Sequence, residues 1–321
     1  MKVLAIISSP LQLLNFKEYI LKYNIKDYKL IVLSFVKKEQ KQLLEAIKLL
    51  KIDKFILLTK FRFLQYYYLS LFSNLTYNRI IIGNIFSDPH LYLFNRSKIK
   101  ELTVLDDGIN TSLISEYFKT NERLLKKTFF KQIIFKLLRI NVSYPKKFEL
   151  FTFIEKDLKI PNIKVTENNF SYLDSKIKGF NQDKNNYFIG QPFVELNITS
   201  KQNYYKYISR ISKQYDNLIY IPSRKESNAK INEINKKLDI EILYSDINIE
   251  LFFIKNKLIP KRVLGFTSSA LITLNKMFNS KYKLIEVVSF KIKFDGKRFT
   301  DNLISKYYEK LTKSGVYIQK I

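Results

Sequence analysis

The sequence contains no cysteine and only one histidine, His90, among its 321 residues. Without thiol groups, a disulfide framework, a thiolate metal site and a cysteine nucleophile are all excluded. A single imidazole excludes a multi-histidine metal centre, and a Ser-His-Asp triad is open only through His90. The absence of cysteine fits a protein of a reducing compartment.

Glycine is also scarce, with seven residues, and 29 Asp and Glu stand against 56 Lys and Arg. The glycine-rich phosphate-binding patterns G-x-G-x-x-G and G-x-x-x-x-G-K-[ST] are absent. No run approaches the roughly 20 uninterrupted apolar residues that a membrane-spanning helix needs. The net charge of +27 has three interpretations: nucleic-acid binding, attraction to an anionic membrane surface, or a coding bias toward surface lysine. The lysines are dispersed along the chain, which favours the third interpretation.

Short apolar runs alternate with segments of helical periodicity along the whole chain. The predicted helices cover 12–23, 38–50, 204–214, 229–237, 269–278 and 300–312. The predicted strands cover 3–8, 30–35, 55–58, 79–82 and 102–105, then 187–189, 218–221, 240–244, 262–266 and 284–289. Continuously apolar strands alternating with helices are typical of parallel sheets covered on both faces. We therefore expect two α/β domains, 1–165 and 166–321, joined by a polar linker within 155–186, with the ligand in the cleft between them.

Four of the seven glycines end or directly follow a predicted strand, and each has polar neighbours. In open α/β sheets, ligands bind at the carboxyl ends of strands. Ordinary turn chemistry would explain one or two such glycines, but four with polar partners favour a binding site. The glycines are Gly83, Gly108, Gly190 and Gly265, beside Asn84, Asp106-Asp107, Gln191 and Thr267-Ser268-Ser269 respectively.

The pair Asp106-Asp107 ends an apolar strand where the chain must turn at Gly108. Two adjacent carboxylates in a partly dry cleft raise the pKa of one of them, which suits a general base. A helix N-cap followed by a turn accounts for the pair equally well.

Two further strand ends carry groups suited to a phosphate. Thr267, Ser268 and Ser269 open a predicted helix, where free N–H groups and hydroxyls attract anions, although ordinary Ser/Thr capping is the commoner role. Arg224 and Lys225 follow Pro222-Ser223 and are able to clamp a phosphate, or else form a solvated basic turn. No D-x-D motif for a metal–diphosphate complex is found.

Two other features have weaker interpretations. Basic and aromatic residues mingle in 123–147, but the charges do not segregate onto one helical face. This stretch is a candidate for contact with a membrane surface or an acidic partner. His90 is predicted to lie in a loop or at the start of a helix.

Taken in order, the strand-end motifs identify a resemblance that runs almost end to end. The chain resembles the bacterial lipooligosaccharide sialyltransferases of glycosyltransferase family 52. Each motif is short, and the specificity comes from seven occurring in the right order. They are Ser8-Ser9-Pro10-Leu11-Gln12, Gly83-Asn84-Ile85, Asp106-Asp107-Gly108, Ile189-Gly190-Gln191-Pro192, Tyr220-Ile221-Pro222, Phe266-Thr267-Ser268-Ser269-Ala270 with Asn275-Lys276, and Ile285-Glu286-Val287-Val288.

The resemblance implies a GT-B fold, in which two Rossmann-like domains face a cleft. It also implies inverting, metal-independent transfer of sialic acid from CMP-sialic acid to a galactose-terminated glycan, without a cofactor. Asp107 would be the general base and Asp106 would support it. Ser268 and Ser269 would hold the donor phosphate. The implied donor-binding residues are Gly190, Gln191, Pro192, Ser223, Arg224, Lys225, Thr267, Ser268 and Ser269, and those on the acceptor side are Ser9, Gln12, Asn84 and Gly108.

The chain departs from the family at Ser223-Arg224, where the family carries a His-Pro pair. The family's histidine contacts the CMP phosphate, and Ser223 brings no positive charge, which Arg224 or Lys225 would have to supply. A transferase with another nucleotide-sugar donor is therefore one alternative, and a basic nucleic-acid-binding protein is another, although no nucleic acid is expected.

The expected partners are a nucleotide sugar and a glycan or glycolipid acceptor, with an anionic membrane surface and a second copy of the chain as further candidates. We expect a cytoplasmic protein, docked peripherally on the inner membrane.

Overall fold

The computed structural model describes residues 2–59, 64–108, 111, 113–114, 117–118, 129–137, 139–154, 157–295 and 301–321. The chain divides into two compact units, Met1–Tyr172 and Leu173–Ile321. The predicted domain boundary between residues 165 and 166 falls inside a strand, Ile163–Glu167, that pairs with the sheet of the first unit.

The first unit is built on a parallel sheet in the order β3-β2-β1-β4-β5-β6-β7. β1 lies inside the sheet between β2 and β4, with Val3 in register with Tyr28 on one side and with Arg79 on the other. The five residues of β1 are all buried, as expected of a strand covered on both faces. The strands are β1 (Val3–Ile7), β2 (Tyr28–Leu33), β3 (Phe55–Leu58), β4 (Thr76–Ile82), β5 (Lys98–Leu105), β6 (Phe148–Thr152) and β7 (Ile163–Glu167).

Five helices are described in the first unit, and the first of them begins directly after β1. Ser9 is its N-cap and accepts a hydrogen bond from the Gln12 N–H, while Pro10 occupies the first turn, where its missing N–H costs nothing. The side chain of Gln12 is thereby fixed at the carboxyl end of the sheet. The helices are α1 (Pro10–Lys22), α2 (Lys37–Leu49), α3 (Leu64–Ser73), α4 (Asp88–Arg96) and α5 (Phe129–Leu137).

The second unit has a parallel sheet in the order β11-β10-β9-β13-β14-β15, and β8 pairs separately with β12. Its strands are β8 (Asn181–Gln182), β9 (Asn186–Ile189), β10 (Leu218–Ile221), β11 (Glu241–Ile242), β12 (Leu258–Ile259), β13 (Arg262–Gly265), β14 (Glu286–Lys291) and β15 (Tyr317–Lys320). The helices are α6 (Ser171–Ile177), which spans the division between the units, α7 (Lys201–Gln214), α8 (Asn228–Leu238), α9 (Ile249–Asn256), α10 (Ser269–Asn279) and α11 (Asp301–Lys313). None of the helices in the described ranges is long and apolar enough to span a membrane.

The predicted α/β alternation is confirmed, and each predicted strand overlaps an observed one. The division between the two units falls within the predicted polar linker, 155–186, but this segment contains regular elements, namely β7, α6 and β8. β7 is an edge strand with the sequence IKVTE, whose polar residues hide its strand character.

Candidate functional site

Asp107 lies just beyond the carboxyl end of β5, and three side chains that follow the ends of β1 and β4 point at its carboxylate. Gln12 Nε2 donates to Oδ1 over 2.8 Å, and Asn84 Nδ2 donates to Oδ2 over 2.7 Å. Ser9 Oγ lies 3.5 Å from Oδ1. The structure therefore brings the predicted residues Ser9, Gln12, Asn84 and Asp107 together at one edge of the first sheet.

The two amides are themselves held so that their NH₂ ends face Asp107. Gln12 Oε1 accepts from the Ser8 N–H over 2.8 Å, and Asn84 Oδ1 accepts from the Phe86 N–H over 2.7 Å. With both oxygens engaged by backbone donors, neither amide can rotate without losing a bond. Asp107 thus has a side-chain donor on each carboxylate oxygen, and these two donors fix the orientation of the carboxylate.

Asn84 has a third fixed contact, to the one histidine of the chain. Its backbone N–H donates to His90 Nδ1 over 3.1 Å. His90 lies at the start of α4, as predicted, but it is fully buried. Burial lowers the pKa of His90 to about 3, so the imidazole is neutral and Nδ1 accepts.

Gly83 is required by the close approach of Gln12. A Cβ at position 83 would overlap the carboxamide of Gln12, which is buried. The sequence predicts this glycine at a strand end, and the structure gives the reason for it: the amide that holds Asp107 passes directly over the backbone.

Asp106 has a different role from its neighbour, because it is fully buried and accepts several hydrogen bonds. Oδ1 accepts from the Gly108 N–H over 3.0 Å and from Thr111 Oγ1 over 2.8 Å. Oδ2 accepts from Thr152 Oγ1 and from the Phe153 N–H. Burial raises the pKa of Asp106 to about 6, while these hydrogen bonds oppose the rise.

The two adjacent carboxylates of the first unit thus have different roles. Asp106 fixes the turn after β5 by bonding backbone and hydroxyl donors from β6 and from the turn itself. Asp107 is partly exposed and is oriented by polar side chains. A partly exposed, oriented carboxylate is able to take a proton from a bound hydroxyl group.

The second unit gathers its predicted residues at the carboxyl ends of β9 and β13. Gln191 Oε1 accepts from the Thr267 N–H over 2.9 Å, which ties the two strand ends together. Ser268 is the N-cap of α10 and accepts from the Ala270 N–H. Ser269 is the first residue of α10. These residues form one local polar edge of the second unit, beside the start of a helix.

Ser223 joins this edge through the buried carboxylate of Glu226, which accepts the Ser223 N–H. Arg224 and Lys225 are both exposed. Burial raises the pKa of Glu250, and the positive charge of Arg224 acts in the opposite direction, so Arg224 is close to that carboxyl. The two predicted phosphate clamps thus lie on an exposed turn.

A buried cation that sequence analysis missed lies beneath the same turn. Lys230 of α8 is 2% exposed, and its Nζ is 2.8 Å from Glu226 and 3.0 Å from Glu195. Nζ also donates to the Gln191 carbonyl over 3.1 Å and lies 4.3 Å from the ring centre of Tyr204. Lys230 therefore links the Gln191 carbonyl to Glu226, the residue that accepts the Ser223 N–H. The i,i+4 spacing of Glu226 and Lys230 was the sequence signal that could have indicated this ion pair.

Gly190 is the second glycine required by close approach. A Cβ there would overlap the Tyr220 hydroxyl and the Glu226 carboxylate, both of which belong to this network. Tyr220 donates to Glu226 and shares a 2.8 Å bond with the Tyr204 hydroxyl. Gly265, by comparison, has only ordinary contacts at 3.5 Å, so its position at a strand end is the only special feature of it.

Other sequence features have a less direct relation to these sites. Gly108 has a φ of +64°, and Pro192 accepts the Leu196 N–H with its carbonyl. Residues 123–128 and 138 of the basic-aromatic stretch lie outside the described residues. Within the described ranges, no group of three or more His, Asp or Glu side chains is arranged to hold a metal ion.

Comparison with known families gives one match that covers most of the chain. A family model described as alpha-2,8-polysialyltransferase (POLYST) matches residues 3–286. This match confirms the predicted sialyltransferase-like class, while the lipooligosaccharide specificity stays a prediction. No curated protein matches the chain in sequence.

Solved structures share the fold at low sequence identity. A protein described as a UDP-N-acetylglucosamine 2-epimerase from Listeria monocytogenes is 11% identical with a TM-score of 0.58, over 98% of this chain and 89% of that chain. The UDP-GlcNAc 2-epimerase from Neisseria meningitidis bound to UDP-GlcNAc is 12% identical with a TM-score of 0.53, over 99% and 95%. An S. aureus MnaA–UDP structure is 10% identical with a TM-score of 0.50, over 97% and 87%. These likenesses confirm the predicted GT-B-like fold class with two Rossmann-like units.

Proposed function

The chain belongs to the alpha-2,8-polysialyltransferase family and is a glycosyltransferase, and from this premise we propose that it transfers sialic acid, or a related nonulosonate, from a CMP-sugar to a bacterial surface glycan. The observation that supports this most directly is the carboxylate of Asp107. It is held by Gln12 and Asn84 in the geometry of a general base.

In the proposed reaction, Asp107 takes the proton from an acceptor hydroxyl as that oxygen bonds to the anomeric carbon of the donor. The bond from the anomeric carbon to the phosphate oxygen breaks, and CMP leaves with the electron pair. The transition state has oxocarbenium character, as in glycoside hydrolysis. The reaction inverts the anomeric centre, since the hydroxyl attacks opposite the leaving group, and it uses neither a metal nor a cofactor.

For the donor phosphate, we assign Thr267, Ser268 and Ser269 at the start of α10. The free N–H groups of a helix start and adjacent hydroxyls favour negative charge. Gln191 Oε1 already accepts the Thr267 N–H, so Gln191 acts here by positioning the backbone that leads into α10. Arg224 and Lys225, exposed beside Ser223, would bring positive charge to the leaving group in place of the family's histidine.

The acceptor is proposed to be a glycolipid on the inner face of the bacterial inner membrane. The family description names an alpha-2,8 linkage, in which the acceptor sugar is itself sialic acid. The resemblance found in the sequence names galactose instead. Both acceptor termini therefore belong in the test.

The test is a transfer assay with CMP-sialic acid and soluble glycans that end in galactose or in sialic acid, read by mass spectrometry. We expect transfer to one of the two acceptors, undiminished by EDTA. Asp107→Ala should lower kcat by about 10²–10⁴-fold, which is the usual contribution of a general base. Thermal stabilisation by UDP and not by CMP, or near-normal turnover of Asp107→Ala, would overturn the proposal.

A further inference from the structure

Helix α3 has an unusual composition for a helix at the surface. Its ten residues, LQYYYLSLFS, include no charge, although 26% of the residues in the chain are charged. Tyr66 and Leu69 are buried, whereas Leu64, Tyr67 and Leu71 are 50%, 62% and 53% exposed. Positions 64, 67 and 71 lie on one side of a helix. The solvent-facing side of α3 is therefore apolar.

Helix α5 contacts α3 and also exposes apolar side chains. The rings of Tyr66 and Phe135 meet edge to face, with centres 5.6 Å apart. On α5, Ile133 and Leu137 are 41% and 76% exposed. Two cations, Lys136 and Arg139, are exposed at the same end of this helix. We call the exposed residues of α3 and α5, together with these cations, the α3–α5 surface.

Exposed apolar residues are concentrated on this surface. Single exposed leucines are common in soluble proteins, but clusters mark interaction sites. Fifteen large apolar side chains are exposed in the described part of the chain. Six of them belong to α3, α5 or the turn after α3, namely Leu64, Tyr67, Leu71, Leu75, Ile133 and Leu137. The segment from 64 to 75 contributes four of these within twelve residues.

We propose that the α3–α5 surface docks this enzyme onto an anionic phospholipid bilayer. Leucine and tyrosine side chains enter the boundary between headgroups and acyl chains, while Lys136 and Arg139 contact lipid phosphates. Charge selects this occupant over a second copy of the chain, because two chains of +27 repel each other and an anionic bilayer attracts each of them. This inference rests on the proposed function in one respect only, which is that docking would bring the enzyme to a glycolipid acceptor.

The first experiment measures co-sedimentation of the full chain with vesicles of phosphatidylcholine alone and with 30 mol% phosphatidylglycerol. We expect at least tenfold tighter binding to the anionic vesicles. The triple variant Leu64→Gln/Tyr67→Ser/Leu71→Gln should weaken anionic binding by at least tenfold. The matched control, Tyr244→Ser/Tyr282→Ser, alters two tyrosines of the second unit that are 64% and 53% exposed, and it should bind like the wild type.

The cationic part of the surface has its own variant. Lys136→Glu/Arg139→Glu should lower binding to anionic vesicles by about tenfold or more, because each basic residue near the membrane adds attraction. Binding to neutral vesicles should not change. The control is Lys213→Glu/Lys237→Glu in the second unit, which changes the net charge by the same amount at another place.

The absence of tryptophan allows a direct measurement of insertion. Leu71→Trp provides a single indole on the α3–α5 surface, and Tyr244→Trp provides one away from it. With anionic vesicles, Leu71→Trp should shift its emission to the blue and be quenched by dibrominated lipids, whereas Tyr244→Trp should do neither. This reading keeps the proposal testable even where the triple variant folds poorly.

The outcomes separate docking from catalysis. Wild-type binding that is equal for neutral and anionic vesicles, or equal losses in the surface and control variants, would overturn the docking proposal. A concentration-dependent dimer that the triple variant abolishes would assign the surface to self-association instead. Transfer to soluble glycans should be the same in the triple variant and the wild type. If the wild type itself transferred no sugar to soluble glycans, this would count against the proposed reaction but would not affect the vesicle-binding result.

Discussion

The backbone N–H of Asn84 donates to Nδ1 of the buried His90 over 3.1 Å. The same asparagine donates through Nδ2 to Asp107 over 2.7 Å. In the proposed reaction, His90 neither contacts the substrate nor transfers a proton. It is a positioning residue, and its one available lone pair determines where the Asn84 loop sits.

Replacement of His90 should therefore affect turnover more than substrate binding. His90→Phe fills the volume but leaves the Asn84 N–H without its acceptor. We expect kcat to fall about tenfold, because loss of a neutral hydrogen bond costs about 1 kcal/mol or more. KM for the donor should change less than twofold, as measured by steady-state transfer kinetics.

The comparison variant is His90→Asn, whose Oδ1 can take the place of Nδ1. It leaves a small cavity and should be the less stable of the two, yet it should retain more of the wild-type kcat. A lower kcat in His90→Asn than in His90→Phe would show that packing, and not the hydrogen bond, determines turnover.

Sequence reasoning located the Asp107 site because its signals are local. An apolar run that ends in two carboxylates and a glycine predicts both a strand and the position where it ends. Asn84 was found in the same way, beside the glycine that follows a strand end, whereas Gln12 was named only through the family resemblance. The resemblance then selected Asp107 over Asp106 as the base, which spacing alone could not do.

The contacts that sequence reasoning missed are between residues far apart in the chain. Lys230 is one of many lysines, and only folding places it beside Glu195, 35 positions earlier. β6 was missed because its Glu149 is polar, although Tyr19, Thr103 and other distant donors satisfy that carboxylate in the fold. Partners of this kind cannot be read from one sequence without a sheet order.

The raised pKa of Asp106 predicts a pH dependence of stability. Because the folded protein holds this proton up to pH about 6 and the unfolded chain only to about 3.8, protonation favours the folded state. The favourable contribution is complete below pH 3.8 and is lost as the pH rises through 6. The difference of about two pKa units corresponds to about 3 kcal/mol.

The measurement is urea unfolding of the wild type and of Asp106→Asn between pH 4 and 8. The stability of the wild type relative to the variant should fall with rising pH and become constant above pH 7. A relative stability that rises over this range would mean that the hydrogen bonds from Thr152 and Thr111 outweigh burial. His90 is retained in both proteins, so its own protonation cancels in the comparison.

Gly83→Ala should damage the site through Gln12 and not through the backbone. The added Cβ overlaps the Gln12 carboxamide, which is buried and bonded at both ends. We expect a loss of about 1–3 kcal/mol of stability, as for other overpacked positions, and a fall in kcat of at least tenfold. Unfolding and transfer assays give the two quantities.

Two comparisons identify the cause of that loss. Gly179→Ala, where the added Cβ meets only the Lys176 carbonyl at 3.8 Å, should leave kcat unchanged. Gly83→Ala/Gln12→Ala should be more stable than Gly83→Ala alone, because the overlap is gone, but no more active, because the donor to Asp107 is gone as well. A double variant as unstable as the single one would point to the backbone of residue 83 instead.

Lys230→Met should be among the most destabilising single changes in the second unit. The substitution leaves the buried Glu226 carboxylate without its cation, and breaking a buried pair in this way typically costs about 3–5 kcal/mol. Adding Glu226→Gln removes the unpaired charge, so the double variant should regain part of the lost stability.

The control is Lys237→Met on the same helix. Lys237 is exposed and pairs with Glu233, so its replacement should cause no measurable change in urea unfolding. Because Lys230 also holds the Gln191 carbonyl, the thermal stabilisation of Lys230→Met by CMP should be smaller than that of the wild type. If the double variant were as unstable as Lys230→Met, the loss would come from the contacts of Lys230 with Tyr204 and Gln191, and not from the unpaired Glu226.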